Sequence, residues 1–313
     1  MSQKTTSPKT TSPKTTSQKT TVKLIPAPDP KPVKPKYTPP PDACDGHCHV
    51  FGPAKRFPYA KERTYEPPDS PKENLAALHK HLGFTRAVLV QASCHGLDNS
   101  AMLDAIKSSN GAWRGVAMAE KNVVQTELQR LHAGGVRGLR FNFVKHLGGT
   151  PELGAVQDLA VRIGPMGWHL QLHLDADNIV ELREFLRKLA IPFIIDHMGR
   201  VPVQAGIGQP AFNQLIELLK DNTNAWVKVS GLERISAAGK PFHDAIPFAQ
   251  ALAAAAPDRV MWGTDFPHPN VKWMPNDGEL VDLFALTFPD EELRKKILVD
   301  NPTRLYWAET LKK

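Results

Sequence analysis

The sequence predicts an α/β protein built as a (β/α)8 barrel of the TIM type, preceded by a disordered N-terminal tail. Three observations carry this reading. Eight short apolar segments alternate with segments of helical apolar spacing. The length, 313 residues, suits one such barrel with an extension. The first strand is not followed by a G-x-G-x-x-G turn, so the rival architecture, a doubly wound dinucleotide-binding sheet, lacks support.

The tail comes first. Residues 1–36 repeat a Thr-Thr-Ser-Pro-Lys unit and then become proline-rich, with few large apolar side chains. Such a segment cannot bury enough surface to offset its ordering entropy, and disorder is expected to about residue 30. The barrel is expected over 37–313. The tail also explains the charge. Its eight Lys and single acid, Asp29, account for the whole formal excess of +7, so the body is neutral and offers no basic nucleic-acid surface. No apolar run approaches the roughly 18–20 residues of a membrane span. The odd set Cys44, Cys48 and Cys94, with no C-x-x-C and no secretory h-region, fits a reducing cytoplasm.

The expected strands are Cys44–Val50, Thr85–Gln91, Arg114–Ala119, Val136–Asn142, His169–Asp175, Pro192–His197, Ala225–Ser230 and Arg259–Asp265. Helical spacing is read at Asn74–His81, Thr126–His132, Ile179–Leu189, Phe212–Leu219 and Phe242–Ala255.

In this architecture the chemistry sits at the C-terminal ends of the strands. His47 and His49 share one face of the first strand, because residues i and i+2 point the same way. His173 ends the fifth strand, His197 the sixth and Asp265 the eighth. Four imidazoles and a carboxylate converging on one rim have the donor types of a zinc site. Arg140, Arg200 and Arg234 reach the same rim, and guanidinium groups pair with carboxylate-like anions. Ser93 ends the second strand and can bond a substrate or cap the next segment. Ser93-Cys94-His95 is a poor nucleophile–base pair, because adjacent residues rarely have that geometry. Trp168, Trp226, Trp262 and Trp273 read as packing.

These motifs, in this order, resemble the amidohydrolase superfamily, and within it the 2-pyrone-4,6-dicarboxylate lactonase group. The likeness runs through Gly46-His47-Cys48-His49-Val50-Phe51-Gly52-Pro53, Gln91 to Gly96, Gly138 to Asn142, Asp196 to Arg200, Trp262 to Asn270 and Asn301-Pro302. The resemblance implies a small anionic lactone as substrate, with Asp265 as general base and His47, His49 and His197 polarising the lactone carbonyl; His197 is then expected to stabilise the developing oxyanion. It places Tyr65, Ser93, Arg140, Arg200, Arg234 and Asn270 around the substrate, and His146 is expected to join them. That group is thought to work without a metal.

Two departures matter. His173 stands where those lactonases have Tyr, at a position where metal-using members place a His. His146 replaces an Arg. The first suggests one Zn²⁺ on His47, His49, His173 and Asp265; the alternative is no metal. Together they favour the related 4-sulfomuconolactone hydrolases, which give maleylacetate and sulfite, over the pyrone dicarboxylate. A metal-dependent decarboxylase and a non-catalytic binding protein are the rival readings. The sequence leaves the oligomeric state open.

Overall fold

A computed structural model describes residues 22–147 and 150–312. Eight parallel strands form one sheet: β1 (Cys44–Cys48), β2 (Arg86–Val90), β3 (Trp113–Ala117), β4 (Val136–Asn142), β5 (His169–His173), β6 (Phe193–Ile195), β7 (Ala225–Lys228) and β8 (Val260–Met261). Each pairs with its sequence neighbour, from β1–β2 to β7–β8. The sheet closes through β8 and the residues after it. The N–H of Gly46 donates to the carbonyl of Trp262 at 2.9 Å, that of Asp265 to His47 at 2.7 Å, and that of His49 to Phe266 at 2.7 Å. Glycine makes this seam possible: a Cβ on Gly263 would lie 2.3 Å from the backbone nitrogen of His47.

Alternation along the strands sorts the core. Outward residues such as Ala87, Leu89, Leu170, Leu172, Phe193, Ile195 and Val227 pack beneath the helices. Inward residues Val88, Val90, Val116, Ile194 and Trp226 meet Leu305, Tyr306 and Trp307, which plug the lower end of the barrel. All three cysteines are free and buried. Among the described residues, no helix is long and apolar enough to cross a membrane.

The expected strands are all present, but several are shorter. The fifth ends at His173 instead of Asp175, the sixth at Ile195 and the eighth at Met261. His197 (φ 49°) and Asp265 (φ 64°) lie just past their strands in left-handed backbone, so pattern alone could not mark the strand ends. Of the expected helices, Ile179–Leu189 is broken into Ala176–Glu181 and Arg183–Arg187, and Phe242–Ala255 begins only at Ile246. Further helices lie at Ser100–Ser108, Leu153–Ile163 and Asp277–Thr287.

The expected tail divides. Residues 1–21 lie outside the described residues, but residues 22–36 lie against the barrel. Lys23–Leu24 pair in parallel with Tyr65–Glu66, and Ile25 is buried with Phe51, Tyr65, Ala92 and Cys94. Further along, the backbone N–H groups of Val33, Lys36 and Tyr37 donate to the side chains of Asn276 and Asp282. The polar lead-in is ordered because distant side chains satisfy its backbone, which composition does not reveal.

Candidate active site

The site begins with β1. His47 and His49 face the barrel interior, whereas Cys48 points outward with its thiol near the Val90 strand at Val88 O. Asp45 fixes this strand to the far side of the seam. Its carboxylate accepts from the backbone N–H groups of His47 (3.2 Å) and Thr264 (2.9 Å), the Thr264 hydroxyl (2.6 Å) and His79 Nε2 (3.0 Å).

Asp265 is the centre. Its Oδ1 lies 3.4 Å from His49 Nε2, 3.7 Å from His47 Nε2 and 3.8 Å from His197 Nε2. All four side chains are at most 2% exposed. Arg234 takes the other oxygen, Oδ2, with its Nε at 2.5 Å. Burial alone would raise the Asp265 carboxyl, but Arg234 and the surrounding imidazoles hold it well below the usual carboxylate range. Burial, with Lys228 beside it, pushes His47 down to about 3, and burial also holds His197 well below the ordinary imidazole value. At neutral pH the centre is therefore an ionised carboxylate facing two neutral imidazoles and His49.

This donor set fits a metal. His49 Nδ1 lies 2.8 Å from the carbonyl of Val90, which can only accept, so that nitrogen carries a proton. In the neutral ring Nε2 is then a lone pair aimed at an anionic oxygen. His47 Nε2 and Asp265 Oδ1 are both buried without a hydrogen-bond partner. A positive centre between these atoms would satisfy them all. Ligand atoms of His47, His197 and Asp265 lie within 4.8 Å of one another. Neither His49 nor His173 is in that trio, but His49 Nε2 reaches Asp265 Oδ1 at 3.4 Å. A second trio, Glu233, Asp265 and His268, is also close, but the Arg234 guanidinium already lies against both carboxylates.

The expected substrate residues line one cavity with His49, His173, His197 and Asp265: Tyr65, Ser93, Arg140, His146, Arg200, Arg234 and Asn270. His47 lies deeper. Arg200 Nε donates to Asp175 at 2.7 Å. Arg140 donates to the carbonyl of Gln91 at 3.3 Å and its Nη2 lies 3.2 Å from His173 Nδ1. Burial, then Arg140, holds His173 neutral, well below the ordinary imidazole range. His173 Nδ1 thus faces Arg140 Nη2, which can only donate, and Asn142 Oδ1, an acceptor, also at 3.2 Å, while its Nε2 is buried without a hydrogen-bond partner.

Several residues escaped the sequence reading. Asp196 and Lys228 are fully buried, and Gln171 lies between them. Asp175, read as the end of a strand, is the N-cap of Ala176–Glu181 and the partner of Arg200. The available signal was alternation: Lys228 stands two residues after Trp226, hence on the inward face, as Gln171 stands midway between His169 and His173.

The family model Amidohydrolase matches residues 44–307. The chain is similar to the 2-pyrone-4,6-dicarboxylate hydrolase of Comamonas testosteroni, with 46% identity over 89% of this chain and 94% of that protein. It is similar also to the 4-sulfomuconolactone hydrolase of Rhizobium radiobacter, with 41% identity over 85% and 90% respectively. Among solved structures, an Acinetobacter baumannii protein, described as a probable 2-pyrone-4,6-dicarboxylic acid hydrolase with citric acid bound, superposes with a TM-score of 0.75 and 28% identity, covering 85% of this chain and 99% of that one. A barrel closed by its first and last strands, four imidazoles and an aspartate at its mouth, and a match over nearly the whole barrel lead to one conclusion: the chain belongs to the amidohydrolase family.

Proposed function

We propose that the protein hydrolyses a small lactone carrying two anionic groups, adding water across the ring ester. The observation that carries this is the pairing of one free, buried carboxylate oxygen, Asp265 Oδ1, with a wall of three arginines in one cavity. Arg140 and Arg200 orient the anionic substituents through charge-assisted hydrogen bonds. Asp265 takes a proton from the attacking water at Oδ1 and returns it to the ring oxygen as the acyl–oxygen bond breaks. His197, braced by the Ser230 hydroxyl 3.0 Å from its Nδ1, faces the developing oxyanion. His173 offers its Nε2 proton to the substrate, as a tyrosine hydroxyl would. One Zn²⁺ held by His47, His49 and Asp265 would supply Lewis-acid charge to the carbonyl. A reducing cytoplasm suits the three unpaired thiols.

The first substrate candidate is 2-pyrone-4,6-dicarboxylate. The higher identity supports it, and His173 with Nδ1 accepting from Arg140 and its proton on Nε2 would be a donor like the tyrosine it replaces. The second is 4-sulfomuconolactone, favoured by His146 on the cavity wall, where an arginine would add charge. Initial rates on both lactones, with Asp265→Asn as control, decide between them. Turnover of the pyrone by the wild type and not by the control is expected. Turnover of the sulfonated lactone alone would reverse the order, and turnover of neither would remove the lactonase reading.

A further inference from the structure

A buried charged network lies beneath the catalytic cavity, and neither the substrate nor the general base uses it. Asp196, Lys228 and Gln171 are all completely buried. Lys228 Nζ donates to Gln171 Oε1 at 2.8 Å, and Gln171 Nε2 donates to Asp196 Oδ2 at 3.0 Å. Arg140 Nη2 lies 3.7 Å from the same oxygen. The other oxygen, Oδ1, has Lys228 at 3.6 Å and His47 Nδ1 at 3.3 Å.

The network poses a definite question about His47. Its Nδ1 faces a donor, the Lys228 ammonium at 3.3 Å, and an acceptor, Asp196 Oδ1 at the same distance. If Lys228 donated to Nδ1, the His47 proton would sit on Nε2, and Asp196 Oδ1 would keep only the distant ammonium. If Nδ1 carries the proton, Asp196 Oδ1 gains a donor and Lys228 retains Gln171. The second arrangement satisfies more buried groups. It also gives His47 a proton on Nδ1, matching the Nδ1 proton that the Val90 carbonyl fixes on His49.

We propose that Asp196 is a positioning residue that fixes His47 with its proton on Nδ1, and that Lys228 and Gln171 hold Asp196 in place and balance its charge. Two first-strand imidazoles are thereby presented to Asp265 in the same tautomer, one set by a backbone carbonyl and one by a buried carboxylate. Outer partners of this kind orient ligating histidines in metal sites. The inference deepens the site assignment above and does not depend on which lactone is turned over.

The experiment is nitrogen NMR on histidine-labelled protein stripped of metal, followed by zinc titration against a chromophoric chelator. Its variants are Asp196→Asn and the charge-matched double Asp196→Asn/Lys228→Met, with thermal melts alongside. The His47 signal, assigned by its loss in His47→Gln, is expected to show a protonated Nδ1 and a bare Nε2 in the wild type. Both variants should disturb that pattern, and zinc affinity should fall about 10- to 100-fold. The double variant answers the case in which a lone buried ammonium unfolds the single one. A wild-type His47 protonated on Nε2 would overturn the proposal. So would variants that lower the melting temperature but leave the His47 tautomer unchanged. If the wild type binds no zinc, the tautomer alone decides. Absence of lactone hydrolysis would leave both readouts intact, so failure of the functional reading is distinguishable.

Discussion

The floor and the wall of the cavity are built on different principles. On the floor, His47, His49, His197 and Asp265 are at most 2% exposed, and each is braced from behind: by Asp196, Val90, Ser230 and Arg234 respectively. On the wall, Arg200 is 27% exposed and held by an acid, Asp175, that is itself 39% exposed, while His146 and Leu147 come from the loop after β4. The floor comes from the first strand and the segments directly after the sixth and eighth, and the wall draws more on connections, such as Lys145–Leu147. The same floor can therefore serve different substrates when the loops change, which is how this architecture supports many chemistries.

That contrast can be broken at its strongest point. Asp265→Asn removes the one carboxylate of the floor, the group assigned to take the proton of the attacking water. Steady-state hydrolysis should fall ~100-fold or more, in kcat and in kcat/KM alike, with an unchanged circular dichroism spectrum. A loss confined to KM would mean that Asp265 binds and does not transfer protons. On the wall, Arg200→Ala should lower kcat/KM roughly 10- to 100-fold, the span of a charged hydrogen bond, mainly through KM. A kcat defect as large as that of the Asp265 variant would erase the distinction between floor and wall. The smallest effect tests the border. His173→Tyr keeps a donor at the cavity, so zinc content and kcat should stay near wild type, whereas His173→Phe should lose activity with zinc content unchanged. Loss of zinc in both would move His173 to the floor, as a ligand.

The same contrast explains what could be read from the sequence. The floor was legible because strand patterning is local: two histidines at i and i+2, then single polar residues ending apolar runs. The cluster of His47, His49, His197 and Asp265 follows from the strand order alone. The role of His173 was not legible, because it depends on Arg140, which approaches Nδ1 from the neighbouring strand. Lys228 was hidden for a related reason. A lysine at the end of Ala225-Trp226-Val227-Lys228 looks like a solvent-facing terminus until the barrel closes around it. The N-terminal lead-in failed as disorder because Asn276 and Asp282, some 245 residues away, accept its backbone N–H groups.

The seam has a consequence for how the protein comes into being. His47 and His49 leave the ribosome on the first strand of the barrel, and Asp265 follows the last. Their backbones bond directly, Asp265 N–H to His47 C=O and His49 N–H to Phe266 C=O. Synthesis proceeds from the N-terminus, and domains tend to fold as units as they emerge. A nascent chain can thus pair β1 through β7 and still lack its proton acceptor. Catalytic competence is the last property the growing polypeptide acquires, and an activity assay on a translation time course doubles as a clock for barrel closure.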